Sequence, residues 1–233
     1  LRTFCNRELI SMRVKADFKH ISELNWDPYT GKDYFKSNIR ILIIGESHYE
    51  KGVDIEKYKN KNFTNHVVNN HAIKGLKHSK LFSNLHKALF EEQKFNRQKL
   101  WDNLAFYNFV QRSMDSNKKR PSKEDFVKGW LTFFQIVESL KPTHCLFVGV
   151  GASKWLKNVR PDEMIKKCDI NNTFPRKVSL KINDNAPINV IFIKHSSQYF
   201  SWSIWNEFLQ NEMKEELNWL KKIIHIPLKT PKL

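Results

Sequence analysis

The sequence predicts an α/β fold: a three-layer α/β/α sandwich with helices on both faces of a short central parallel sheet. Three observations carry this. Four short runs, at 41–44, 104–110, 143–148 and 190–193, are mostly apolar and are bounded by polar residues, the pattern of strands buried on both faces. Segments with helical apolar spacing lie between them, and strands that alternate with helices assemble parallel sheets. At 233 residues the chain is long enough to bury such a sheet in a single domain spanning 1–233.

Residues 1–39 form an N-terminal extension ending in Asp27-Pro28-Tyr29-Thr30-Gly31-Lys32, a turn-rich lead-in to the first strand, Ile41-Leu42-Ile43-Ile44. A polar insertion, 50–80, follows and reads as a long functional loop or a partly helical segment. Leu81, Leu85, Ala88 and Leu89 recur at helical spacing. The second strand ends near Asn108, and 113–120 is loop. Ser122 resembles a helix cap with Glu124 and Asp125 in the first turn, where carboxylates meet the positive end of the helix dipole. That helix turns Phe126, Trp130, Phe133, Phe134 and Val137 inward and stops before Pro142. The third strand closes on Gly149-Val150-Gly151-Ala152-Ser153 and leads into another helix. Residues 158–187 read as irregular connection with some strand, and 202–224 as one long amphipathic closing helix.

Charge narrows the partners. Forty Lys and Arg against 24 Asp and Glu leave a formal net charge of +16, and self-repulsion of that size points to a polyanionic partner, nucleic acid above all. No apolar run reaches 18 residues, so no membrane partner is expected. The opening Leu1-Arg2-Thr3 lacks a signal-peptide pattern. Cys5, Cys145 and Cys168 are odd in number and widely spaced, neither a disulfide framework nor a metal clamp. A cytoplasmic monomer is the expectation.

Cofactor motifs are incomplete. Gly149-Val150-Gly151 lacks the third glycine and the later acidic residue of a dinucleotide site, and it is no Walker loop. His66, His71, His78 and His86 are spaced by five, seven and eight residues, with no adjacent pair at the i, i+4 spacing of a helical zinc clamp. A solvated polar loop accounts for them, and neither a metal nor a cofactor is expected.

Three polar groups remain at predicted strand ends. Gly45-Glu46-Ser47-His48 follows the first strand, Asn108 ends the second, and Lys194-His195-Ser196-Ser197 follows the fourth. Ligands of open α/β sheets bind outside the carboxyl ends of the strands. A carboxylate, an amide able to read the edge of a base, and an imidazole would meet there.

The order of these motifs resembles the uracil-DNA glycosylase superfamily. Gly45-Glu46-Ser47-His48-Tyr49 is similar to its first motif, of the G-E-A-P-G or G-Q-D-P-Y type, and Asn108-Phe109-Val110-Gln111 to the N-V-V-K of the iron–sulfur branch. Arg120-Pro121-Ser122 and the segment from Lys141-Pro142 to Val148-Gly149 match that branch in order and spacing, and His195-Ser196-Ser197-Gln198-Tyr199 resembles its H-P-S motif. The likeness covers about residues 40 to 210. Ser47 stands where one branch has a water-positioning aspartate, Ser196 replaces the motif proline, and the cluster-binding cysteines have no equivalents.

The resemblance implies a monofunctional DNA glycosylase that flips out a uracil-like or modified base and hydrolyses its N-glycosidic bond. Glu46 and His195 would be catalytic, with Asn108, Tyr49 and Phe63 holding the base. Ser47, His48, Lys118, Lys119, Arg120, Ser153, Lys154, Ser196, Ser197 and Gln198 would contact DNA, and Tyr199 with Phe200 would fill the vacated stack. Other readings stay open: a catalytically inactive DNA-binding protein of the same fold, an enzyme acting on small nucleosides or nucleotides, or a glycosylase for modified phage bases in defence.

Overall fold

The computed structural model describes residues 16–49, 59–76, 79–91, 94–116, 119–168, 174–182, 186–197 and 199–224. Its centre is a seven-stranded sheet. Four strands are parallel neighbours: β4 (Leu104–Asn108), β2 (Ile41–Gly45), β6 (His144–Val148) and β9 (Ile188–Ile193). Antiparallel strands extend this core at both edges, β1 (Tyr29–Thr30) beside β4, and β8 (Arg176–Leu180) then β7 (Lys166–Lys167) beside β9. The α/β expectation holds; the sheet is wider than the short parallel one expected. A separate parallel pair joins β3 (His48–Tyr49) to β5 (Ser113–Met114).

The strand runs alternate between two cores. Leu42, Ile44, Ala105, Tyr107, Cys145, Phe147, Val190 and Phe192 face one side. Ile41, Ile43, Leu104, Phe106, Leu146, Val148, Ile191 and Ile193 face the other. Side chains of period two with both faces apolar require cover on each, and each fully buried aliphatic contributes about 1.5–3 kcal/mol. α4 (Lys123–Leu140) covers the first face through Phe126, Trp130, Phe133 and Val137. It starts on a reciprocal Ser122–Asp125 capping box and ends at Lys141, in the left-handed region at φ 48°, one residue before Pro142. α2 (Lys80–Phe90), α3 (Arg97–Asp102), α5 (Trp202–Glu212) and α6 (Lys214–Ile224) cover the second.

Several elements differ from expectation. The closing segment is two helices, because buried Met213 leaves helical geometry at φ −136° and ψ 36°. α5 then packs on α2, where Asn206 Nδ2 donates to the Ala88 carbonyl at 2.9 Å, while α6 packs on α3. The described part of the polar insertion contains α1 (Phe63–Val67), which continues as a wider helical turn, Val68–Ile73. Residues 16–39 are integral to the core through Ile21, Leu24, Trp26 and Tyr34. Among the described residues no helix is long and apolar enough to cross a membrane.

Candidate active site

Because β4, β2, β6 and β9 are parallel neighbours, their carboxyl ends lie side by side. Asn108, Glu46, Gly149 and His195 therefore occupy one edge of the sheet. The ladder continues past the strand ends: Phe109 N–H donates to the Gly45 carbonyl and Val110 N–H to that of Glu46, both at 2.9 Å. Gly149 N–H donates to the Ile193 carbonyl at 2.9 Å. The loops that carry the polar groups are thus held by backbone as firmly as the strands.

Gly45 pairs directly with Asn108 in the register of β2 and β4. A Cβ at Gly45 would sit 2.1 Å from Asn108 Oδ1, a distance that real atoms do not tolerate. Glycine is required there so that the Asn108 amide can lie across the end of β2. Gly149, at φ 145°, opens the same space on the other side. A Cβ there would lie 3.7 Å from Glu46 Oε2 and 4.0 Å from His195 Cδ2, so both catalytic candidates border the gap that this glycine leaves.

The Glu46 side chain is 5% exposed, and its Oε2 accepts from Arg120 Nη2 at 2.6 Å. Its Oε1 is buried with no hydrogen-bond partner. Burial raises the Glu46 pKa above the ordinary carboxylate value, and the Arg120 charge and hydrogen bond offset part of that rise. Beside it lies a cavity of about 10 Å³, lined by Gly45, Phe109, Phe126, Phe147, Gly149 and Ala152 among others. That is room for about one water molecule. Glu46 is the one charged side chain that borders this void, and its other lining side chains are apolar.

His195 is fixed through its Nδ1, 2.9 Å from Ser197 Oγ. Either group can be the donor in this contact; with the hydroxyl donating, the ring proton sits on Nε2 and that edge is a hydrogen-bond donor. Burial first, and the Arg120 charge second, lower the His195 pKa to about 4. The ring is neutral at physiological pH. Its loop is clamped from α2, where Asn84 Nδ2 donates to the Ser196 and Ser197 carbonyls at 2.8 and 3.1 Å.

The remaining expected residues divide by burial. Tyr199 is 91% exposed and sits in the left-handed region at φ 53°, with its carbonyl held by Lys194 Nζ at 2.8 Å. Tyr199 thus presents its ring to solvent on the loop that follows His195. Lys119 is exposed and paired with Asp115, and exposed Lys154 lies 5.4 Å from the Trp155 ring. Ser47 and Tyr49 are half-buried beside Glu46, and Ser47 Oγ has no partner. Lys118 and Gln198 lie outside the described residues.

Other expectations need correction. His48 is buried, 4.8 Å from the Trp26 ring and 4.6 Å from Phe63, so it packs rather than meets DNA. Phe63 spends its ring on that same aromatic group. Ser153 is buried with its hydroxyl donating to the Val150 carbonyl and accepting from Arg176 Nη1. Ser196 is fully buried and donates to the Leu81 carbonyl at 2.8 Å. Neither hydroxyl is free to take a phosphate. Phe200 stacks on Trp205 at 6.0 Å and 12°, so its ring packs on α5 instead of being free to fill a vacated stack. His86 is no part of a solvated loop: it is buried on α2 and accepts from Trp101 Nε1 at 3.1 Å. Among the described residues no group of three or more His, Cys, Asp or Glu is placed to hold a metal.

One residue and one contact escaped the sequence reading. Asn84 lies more than a hundred positions from the loop that it clamps, and only its helical face beside Leu81 and Leu85 hints that it points toward the sheet. The Arg120–Glu46 contact likewise joins residues 74 apart. No known family model matches the chain, and no curated protein matches it.

Proposed function

We propose that the chain is a DNA glycosylase that extrudes a base and hydrolyses its N-glycosidic bond to leave an abasic site. One observation carries the reading: a buried carboxylate with an idle oxygen, a neutral imidazole and an amide lie at the carboxyl ends of β2, β9 and β4, along one parallel run of four strands. An exposed tyrosine on the His195 loop and a net charge of +16 support DNA as the partner.

In this mechanism Tyr199 occupies the space vacated in the stack, and Asn108 holds the edge of the extruded base. Cleavage of the bond between sugar and base builds positive charge on the sugar and negative charge on the base. Glu46 stabilises the first, orients a water through Oε1 and takes its proton as the water oxygen bonds to the sugar carbon. General-base help of this kind is worth about 10²–10⁴-fold. His195 Nε2–H donates to a carbonyl oxygen of the departing base, an electrostatic effect of about 2.7–4 kcal/mol. Its neutrality suits a donor that must not surrender its proton.

Oligonucleotides carrying uracil, hypoxanthine or modified cytosines, treated with the protein and then with alkali, test the reading. Strand cleavage at one of these bases is expected. Intact strands across the whole panel, with DNA still bound, would turn the assignment toward a binding protein of the same fold.

A further inference from the structure

Arg120 stands out because its ion pair is built unlike the one beside it. Arg112 meets Asp125 through two donors, Nε and Nη2, each 2.6 Å from its own carboxylate oxygen. That pair is closed and ties the loop to the start of α4. Arg120 reaches Glu46 through Nη2 alone, and Glu46 is the one hydrogen-bond partner it has among the described residues. Its side chain is 63% exposed against 5% for Glu46. Four of the five guanidinium N–H groups therefore remain to be used, on a planar fork shaped for a carboxylate or phosphate.

Its location is constrained. A Cβ at Gly151 would lie 3.5 Å from Glu46 Oε2 and 3.6 Å from Arg120 Nη2, which puts the guanidinium at the mouth of the gap between β2 and β6. Buried Pro121 and the capped start of α4 follow it directly, so the backbone that carries Arg120 is anchored on that side. The contact also poses a chemical problem. A cation against Glu46 cancels the negative charge that a cationic sugar would need. An anion on the outer face of the guanidinium restores it.

We propose that Arg120 bridges Glu46 to a backbone phosphate next to the extruded nucleotide, so that the carboxylate is fully effective only when the sugar belongs to a nucleic-acid strand. This deepens, and rests on, the glycosylase reading. It makes Arg120 a positioning residue that separates a nucleotide within a strand from a free nucleoside. Lys119, paired with Asp115 on the surface, has no such link to the site.

The test is a binding cycle that needs no base release. The ligand is a short DNA duplex with a tetrahydrofuran abasic-site analogue, in which each flanking phosphate is replaced in turn by an uncharged methylphosphonate. For the unaltered chain, neutralising one of the two linkages is expected to raise Kd about 10- to 100-fold. In Arg120→Gln the same replacement should change Kd by less than about twofold, the coupling having gone. Arg120→Lys, with charge but no fork, should fall between. Equal losses in the unaltered chain and Arg120→Gln at both linkages overturn the proposal, and so does indifference of the unaltered chain to either linkage. Failure of the base panel would instead end the glycosylase reading and leave this coupling measurable.

Discussion

The two ends of the central sheet each hold a buried carboxylate paired with an exposed cation, yet they are built to opposite purposes. At the amino end Asp102, 9% exposed, has both oxygens satisfied: Oδ1 accepts from Gln98 Nε2 at 2.8 Å and Oδ2 meets Lys32 Nζ at 3.0 Å. At the carboxyl end Glu46 has one oxygen on Arg120 and the other idle. The recess lined by Asp102 measures about 790 Å³ and the void lined by Glu46 about 10 Å³. A structural carboxylate is one whose lone pairs are spent; a reactive one keeps a lone pair in reserve, at a cost in stability.

The comparison breaks first, and with the largest effect, on two amide substitutions. Glu46→Gln should lower the rate of base release by about 10²–10⁴-fold while stabilising the fold by about 0.5–2 kcal/mol, since it removes a buried charge. Asp102→Asn should do the reverse, leaving the rate unchanged and destabilising by about 1–3 kcal/mol. Single-turnover rates and denaturant melts of both variants read the crossing. Parallel losses of rate and stability in the two would erase the distinction between the ends.

Next in size is His195. Its replacement by alanine should reduce base release by about 10²–10³-fold. Asn84→Ala should lose about tenfold in kcat with KM little changed, because Asn84 positions the loop and touches no substrate. A loss confined to KM would show that Asn84 serves binding instead.

Acid sharpens the contrast further. Burial lowers His48 and His86 to about 3 and His195 to about 4, from an ordinary value of 6.5. As pH falls below about 6.5 the unfolded chain takes up protons that the native state refuses, so these three groups withdraw stability. Glu46, with its pKa raised, acts in the opposite sense and is outnumbered. The melting temperature should drop between pH 7 and pH 5, and His195→Gln should flatten part of that slope. An unchanged melting temperature would mean that the imidazoles are more solvated than their burial implies.

Tyr199→Ala should act on binding alone: weaker binding to duplex DNA, by about 1 kcal/mol, with stability untouched because the ring is already in solvent. Calorimetric titration and a thermal melt on the same sample check both halves.

What the sequence discloses follows the range of the forces involved. Strands β2, β4, β6 and β9 are legible because burial on two faces forces continuous apolar runs, and Glu46, Asn108 and His195 are legible because each interrupts such a run. Gly45 is legible as a turn residue, though its reason, the Asn108 side chain across it, is a register effect that belongs to two strands at once. Whether a serine or histidine near a strand end faces solvent is decided by distant partners. Ser196 bonds to Leu81, Ser153 to Arg176, and His48 sits against Trp26. Local pattern carries no trace of these. The break at Met213 is hidden for the same reason, since it arises from α5 and α6 packing on different helices.

The central claim is that Glu46 and His195 together break the bond between a base and its sugar. Its most direct test is mass-spectrometric detection of free base from DNA incubated with the unaltered chain, Glu46→Gln, and the double variant Glu46→Gln with His195→Ala. Base should appear with the first, fall by orders of magnitude with the second, and be undetectable with the third. Undiminished release by the double variant would contradict the claim, as would no release by the unaltered chain from any modified DNA that it binds.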